Sequence, residues 1–148
     1  LLNGFFDSEM DRQDPVEGAV EAYGQLAEKA DVVVLTNLLD HRREDRTRQL
    51  ARHGIEAKVY TNQGPKGGAI ARIVEEYGPR RTIFIDDLSQ HHNSAREIVP
   101  DTLRLHLCGE PGLAPHIACG AKAGDAHARI DRWDDALPWI LERLEEPA

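Results

Sequence analysis

Val32-Val33-Val34-Leu35 places four apolar residues in a row, three of them β-branched. A strand with one wet face alternates apolar and polar side chains. A run with no polar member has to be covered on both faces. Ile83-Phe84-Ile85, after Thr82, repeats the pattern further along. Two such runs require a sheet with helices on either side, and the intervening segments supply them. Asp14-Pro15 reads as an N-cap with Pro at the first helical position. Val16, Ala19, Val20, Tyr23, Leu26 and Ala27 then recur at helical spacing to residue 29. A charge-rich helix follows over 41–53, capped by Gly54, and then a short strand over 55–60. Gly64-Pro65-Lys66-Gly67-Gly68 is a turn opening a helix that runs to Tyr77, where Gly78-Pro79 stops it. A helix over 89–99 ends at Pro100, and 102–107 reads as a strand. Residues 108–126 are rich in Gly, Ala and Pro and read as loop with one short helix. A last strand over 128–130 and a helix over 134–144 close the chain, the helix with Leu137, Ile140, Leu141 and Leu144 on one face. Strand and helix alternate throughout, which predicts an α/β fold with a parallel sheet.

Composition narrows the function classes. The 148 residues, 41% hydrophobic and 30% charged, suit one globular domain. A net charge of −8 argues against nucleic acid or an anionic membrane as partner, since both need a positive footprint. The apolar runs are far shorter than a membrane span. Cys108 and Cys119 form no CxxC pair, so the default expectation is a reducing, cytoplasmic setting.

In parallel sheets, ligands bind beyond the carboxyl ends of the strands. At those ends the sequence places Thr36-Asn37 and Asp86-Asp87, and Lys66 opens the helix between them. A hydroxyl, an ammonium and a carboxylate pair together suit a phosphoryl group with a divalent cation. Hard Mg²⁺ takes carboxylate oxygens and keeps several waters. It also turns repulsion between adjacent carboxylates into shared coordination. Lysine adds a point charge against a phosphate dianion. Each residue has a bland alternative: Thr36 as an ordinary strand end, Lys66 as a solvated helix start, Asp86-Asp87 as a helix cap with a solvated neighbour. A cation at a helix N-terminus opposes the helix dipole, which favours a functional Lys66.

These segments resemble motifs of the haloacid dehalogenase-like (HAD) hydrolase superfamily. Val33-Val34-Leu35-Thr36-Asn37 is similar to its second motif, Lys66 to the lysine of its third, and Ile83-Phe84-Ile85-Asp86-Asp87 to its acidic fourth. Asp14 to Lys29 is similar to the helix preceding the second motif, so the resemblance spans roughly residues 12–107. It implies a Rossmann-like three-layer sandwich and a Mg²⁺-dependent phosphatase acting on a small phosphorylated metabolite through an aspartyl-phosphate. Under it, Thr36 and Lys66 are catalytic, Thr36, Asn37 and Lys66 bind substrate, and Asp86 and Asp87 hold the metal, with Asp86 the direct ligand and Asp87 the supporting one. Many members carry a further acidic or Asn residue where this chain has Gln90 and His91. Gln90 suits a bond to a metal-bound water, and His91 is a poor ligand for Mg²⁺, which disfavours imidazole. His91-His92 reads first as two exposed histidines at a helix start, and alternatively as an adventitious site for Zn²⁺ or Ni²⁺ beside the two aspartates.

The family's first motif, an apolar strand ending DxDx(T/V) that carries the nucleophile, is not recognisable. Asp7 and Asp11 follow no buried strand, Asp14 starts a helix, and Asp31 lies at the wrong end of its strand. Leu1-Leu2-Asn3-Gly4-Phe5-Phe6 reads as the tail of an apolar helix. The expectation is therefore a chain truncated at its N-terminus: residues 1–11 as the tail of a cap or linker, and 12–148 as an incomplete core. The central strand would be absent, a gap would lie between the strands ending at Thr36 and Asp86, the nucleophile would lie upstream, and the chain alone would be inactive. A non-catalytic phosphate- or metal-binding regulator is the main alternative. A receiver-type signalling domain ranks lower, because its acidic pair precedes its Thr and Lys. The charged stretch 41–48 reads as a solvated helix face, or alternatively as a site for a substrate's anionic tail. Cys108 reads as a small buried thiol, and Trp133 and Trp139 as packing for the last helix.

Overall fold

A computed structural model of the chain describes residues 2–3 and 17–146. Among the described residues, six strands and five α-helices follow in the order β1 (Leu2–Asn3), α1 (Ala19–Ala27), β2 (Val33–Thr36), α2 (Arg43–Arg52), β3 (Lys58–Thr61), α3 (Gly67–Tyr77), β4 (Ile83–Asp86), α4 (Ser89–Ile98), β5 (Leu103–His106), β6 (Ala128–Arg129) and α5 (Trp133–Glu145), alternating except at β5 and β6. A 3-10 turn over Asp40–Arg42 leads into α2, and another, Ala114–His116, is the short helical piece of the 108–126 loop. No helix among the described residues is long and apolar enough to cross a membrane.

All strand pairs are parallel. One ladder runs β1-β4-β5-β6, and β2 pairs separately with β3. The uninterrupted apolar runs are covered on both faces, as their composition requires. Val32 and Val34 of the β2 run, with Ile83 and Ile85 of β4, face a core completed by α1, Leu50 of α2, and Trp133, Ala136 and Ile140 of α5. Val33, Leu35 and Phe84 point the other way, against Ala69, Ile70 and Ile73 of α3 and Ala95 of α4. This is the expected three-layer α/β sandwich with a parallel sheet. Gly54 and Gly78, at φ 89° and 57°, end α2 and α3 in the left-handed conformation that glycine adopts without steric cost. Trp133 and Trp139 pack α5 on the core, and Cys108 is a buried free thiol whose pKa burial raises. Arg46 departs from the solvated face expected over 41–48: it is buried and donates to Gln49 Oε1 at 2.8 Å.

The N-terminus departs from expectation. Leu2–Asn3 is extended rather than the tail of a helix, and it pairs with Ile83 and Phe84 of β4. β1 also contacts β2. The place expected to stand empty between β2 and β4 therefore has an occupant. The discontinuity survives in weaker form: among the described residues, no ladder joins β1 to β2. The helix start at Asp14-Pro15, the boundary at residues 11 and 12, and Asp7 and Asp11 lie outside the described residues.

Candidate active site

Thr36 and Asp86 are the last residues of β2 and β4, so the parallel sheet delivers both to one edge. Lys66 precedes α3 and is fully buried. Its Nζ donates to Asp86 Oδ2 at 2.7 Å and to the Leu35 carbonyl at 3.1 Å. The dipole conflict noted in the sequence is thus met by a carboxylate. Burying both ions is costly unless the geometry is good and the remaining lone pairs are satisfied. Asp86 meets that condition, because its Oδ1 accepts the Leu88 N–H at 2.8 Å.

Gly67 explains how Lys66 reaches the sheet. A Cβ at this position would lie 2.5 Å from the Ser94 carbonyl oxygen, so only glycine lets α3 approach α4 so closely. The Gly67 N–H donates to Ser94 Oγ at 2.9 Å, which fixes the first turn of α3. The sequence signalled Gly67 only as part of a turn, and nothing in it signalled Ser94.

Thr36 is fully buried, and its Oγ1 has no hydrogen-bond partner among the described residues. A buried hydroxyl in that state costs about 1–3 kcal/mol. Asn37 is committed differently from the substrate-binding expectation. Its Nδ2 donates to the Gly64 carbonyl at 3.0 Å and its Oδ1 accepts from Asn62 at 3.2 Å. Asn62 donates in turn to the Gly64 and Pro65 carbonyls, each at 3.1 Å. The two asparagines therefore latch the loop that leads into Lys66, and the Asn37 side chain acts on that loop.

Behind the acidic pair stand two histidines. His92 Nε2 lies 2.9 Å from the Asp86 carbonyl oxygen, and His106 Nε2 lies 2.8 Å from that of Asp87. Their rings sit 5.3 Å apart, and Phe84 packs on His92 at 5.1 Å. Burial pushes His92 down to about 3 and lowers His106 as well, so both are neutral near pH 7. Reading His91-His92 as two exposed histidines is therefore incorrect, since both are buried. The helix turns this pair inward over β4 and β5, where adjacency in sequence suggested solvent. Gln90 is exposed.

Among the described residues, no group of three His, Cys, Asp or Glu side chains is placed to hold a metal. Asp86 has one oxygen on Lys66 and the other on a backbone N–H, inside the protein. Asp87 is half-buried as a residue, and its Oδ1 lies inside the protein. A buried hydroxyl and a lysine-paired carboxylate thus end two strands of the parallel sheet.

No family model matches the sequence, and no curated protein sequence matches it. Solved structures do. A haloacid dehalogenase-like protein of unknown function from Agrobacterium tumefaciens strain C58 superposes with a TM-score of 0.70 at 18% identity, covering 89% of this chain and 62% of its own. A haloacid dehalogenase-like family hydrolase from Streptococcus pneumoniae gives 0.66 at 14% identity, with 86% and 60% covered. A haloacid dehalogenase-like hydrolase from Burkholderia xenovorans LB400 gives 0.60 at 17% identity, with 90% and 59% covered. The chain thus spans 59–62% of the length of these proteins. It has the haloacid dehalogenase-like fold.

Proposed function

We propose that the protein is a Mg²⁺-dependent phosphohydrolase acting on a small phosphorylated metabolite. The observation that carries this reading is the buried Thr36 hydroxyl, without a partner among the described residues, at the same carboxyl edge of the parallel sheet as the Lys66–Asp86 pair. Thr36 Oγ1 donates to a phosphate oxygen. Lys66 holds Asp86 in place and contributes positive potential, while Asp86 and Asp87 supply the oxygens for the cation. When bound, Mg²⁺ offsets negative charge on the transferring group.

The attacking carboxylate lies either upstream of Leu1 or after β1. On this reading an oxygen of that carboxylate forms a bond to phosphorus, the phosphorus–oxygen bond to the alcohol breaks, and the departing alkoxide takes a proton from water. Water then hydrolyses the acyl-phosphate and frees inorganic phosphate.

The test is hydrolysis of p-nitrophenyl phosphate with and without Mg²⁺, by the wild type and Asp87→Asn. Metal-dependent turnover lost in the variant is the expected result. No turnover alongside saturable phosphate binding favours the non-catalytic regulator instead.

A further inference from the structure

The 108–126 loop, which the sequence left without a role, reaches the acidic pair through His106. Gly120 N–H donates to His106 Nδ1 at 2.8 Å, and His106 Nε2 lies 2.8 Å from the Asp87 carbonyl oxygen. A backbone N–H can only donate and a carbonyl can only accept. His106 is therefore the neutral tautomer with its proton on Nε2, bare toward Gly120 and donating to Asp87. The fit is tight, since a Cβ on Gly120 would lie 2.9 Å from His106 Nδ1. The same turn is anchored independently. Asp125 N–H donates to the Gly120 carbonyl at 2.8 Å. The Asp125 carboxylate accepts from Ser89 Oγ at 3.3 Å and from Asn93 Nδ2 at 2.9 Å, both on α4. Arg96 adds a bond to the Gly124 carbonyl at 2.9 Å. The turn is thus fixed to the helix that begins just after Asp87, and His106 passes that rigidity to the Asp87 backbone.

The geometry points to His106 as a positioning residue: with its tautomer set by Gly120, it fixes the Asp87 peptide and so orients the Asp87 carboxylate. This rests on the proposed role of Asp87 at a cation. Residues that orient a metal ligand typically change metal affinity about 10–100-fold when altered. The two amide replacements separate the two bonds of the ring. In His106→Gln the side-chain amide reaches the Nε2 position and can donate to the Asp87 carbonyl. In His106→Asn the shorter side chain reaches only the Nδ1 position and can accept from Gly120.

Three measurements on the whole chain test this. Nitrogen-15 NMR of the wild-type imidazole should show the proton on Nε2; a proton on Nδ1 overturns the proposal before any variant is made. By calorimetry with Mg²⁺ alone, affinity should fall about 10-fold in His106→Asn and remain near wild type in His106→Gln. Gly120→Ala, which crowds Nδ1 from the loop side, should resemble His106→Asn. Equal affinities in the two amide variants overturn the proposal. If the wild type binds no Mg²⁺, the cation reading of Asp87 fails by itself. The positioning role is then read from the Asp87 carbonyl carbon-13 shift. A shift moved in His106→Asn and retained in His106→Gln supports the role, and one that responds equally in both overturns it.

Discussion

Lowering the pH should destabilise the protein through His92, by an amount that its burial sets. The imidazole is fully buried and is pushed down to about 3 in the folded state. In the unfolded chain it titrates near the ordinary value of about 6.5. Below that value the unfolded state binds a proton that the folded state refuses. Stability is therefore complete above about pH 6.5 and declines as the pH falls toward the folded value. Each unit of that interval is worth about 1.4 kcal/mol, so His92 alone removes about 2 kcal/mol between pH 7 and pH 5. Burial lowers His106 and His127 too, and they add to the slope in the same direction. The His92 share is isolated by comparing the wild type with His92→Gln, whose amide can still donate to the Asp86 carbonyl. Urea unfolding in EDTA at pH 7 and pH 5 provides the assay. At a slope of about 2 kcal/mol per molar, the wild-type midpoint should move about 1 M further than that of the variant. Equal shifts in the two proteins would refute the reasoning, because they would mean that His92 accepts its proton as readily folded as unfolded.

Two further perturbations address the site. Thr36→Val removes the unpartnered hydroxyl and should raise stability by about 1 kcal/mol, or Tm by about 2–4 °C, while lowering kcat/KM for p-nitrophenyl phosphate. A fall in Tm, read by calorimetry, would mean the hydroxyl is already satisfied. Lys66→Met leaves the buried Asp86 carboxylate without its cation and should cost about 3–5 kcal/mol in urea unfolding. Adding Asp86→Asn, which can still accept from the Leu88 N–H, should recover part of that loss, and no recovery would point to misfit of the methionine.

What the sequence disclosed follows from how local each cause is. The runs at Val32–Leu35 and Ile83–Ile85 reveal themselves, because a doubly covered strand has no room for polar residues. Thr36, Lys66 and Asp86 were legible because strand ends in a parallel sheet converge by rule. Gly67 and Gly120 looked like ordinary turn residues, since the atoms that demand glycine, the Ser94 carbonyl and His106 Nδ1, lie far off in sequence. His106 was missed for the same reason, since its partners Asp87 and Gly120 come from other segments, whereas His92 was misread as exposed although its carbonyl partner, Asp86, lies six residues before it. Asn37 looked like a phosphate ligand because it follows Thr36, yet its amide is held by Asn62 and Gly64 across the neighbouring strand. β1 was misread because two residues carry no period, and its conformation is dictated by the β4 backbone.

The two ladders of the sheet meet at a seam where β1 touches β2 without pairing to it. Lys66 grips both sides of that seam at its carboxyl end, through the Leu35 carbonyl on β2 and the Asp86 carboxylate on β4. Mechanically it is a rivet: the residue that charges the site also stops the halves of the sheet from sliding past each other. Thr36 belongs to one half and Asp86 to the other, so this ammonium adds a polar tie to the two apolar cores that already hold the halves together. Sequence change at this position is therefore constrained twice over, by chemistry and by alignment, and arginine or glutamine would have to meet both demands within a cavity shaped to a lysine.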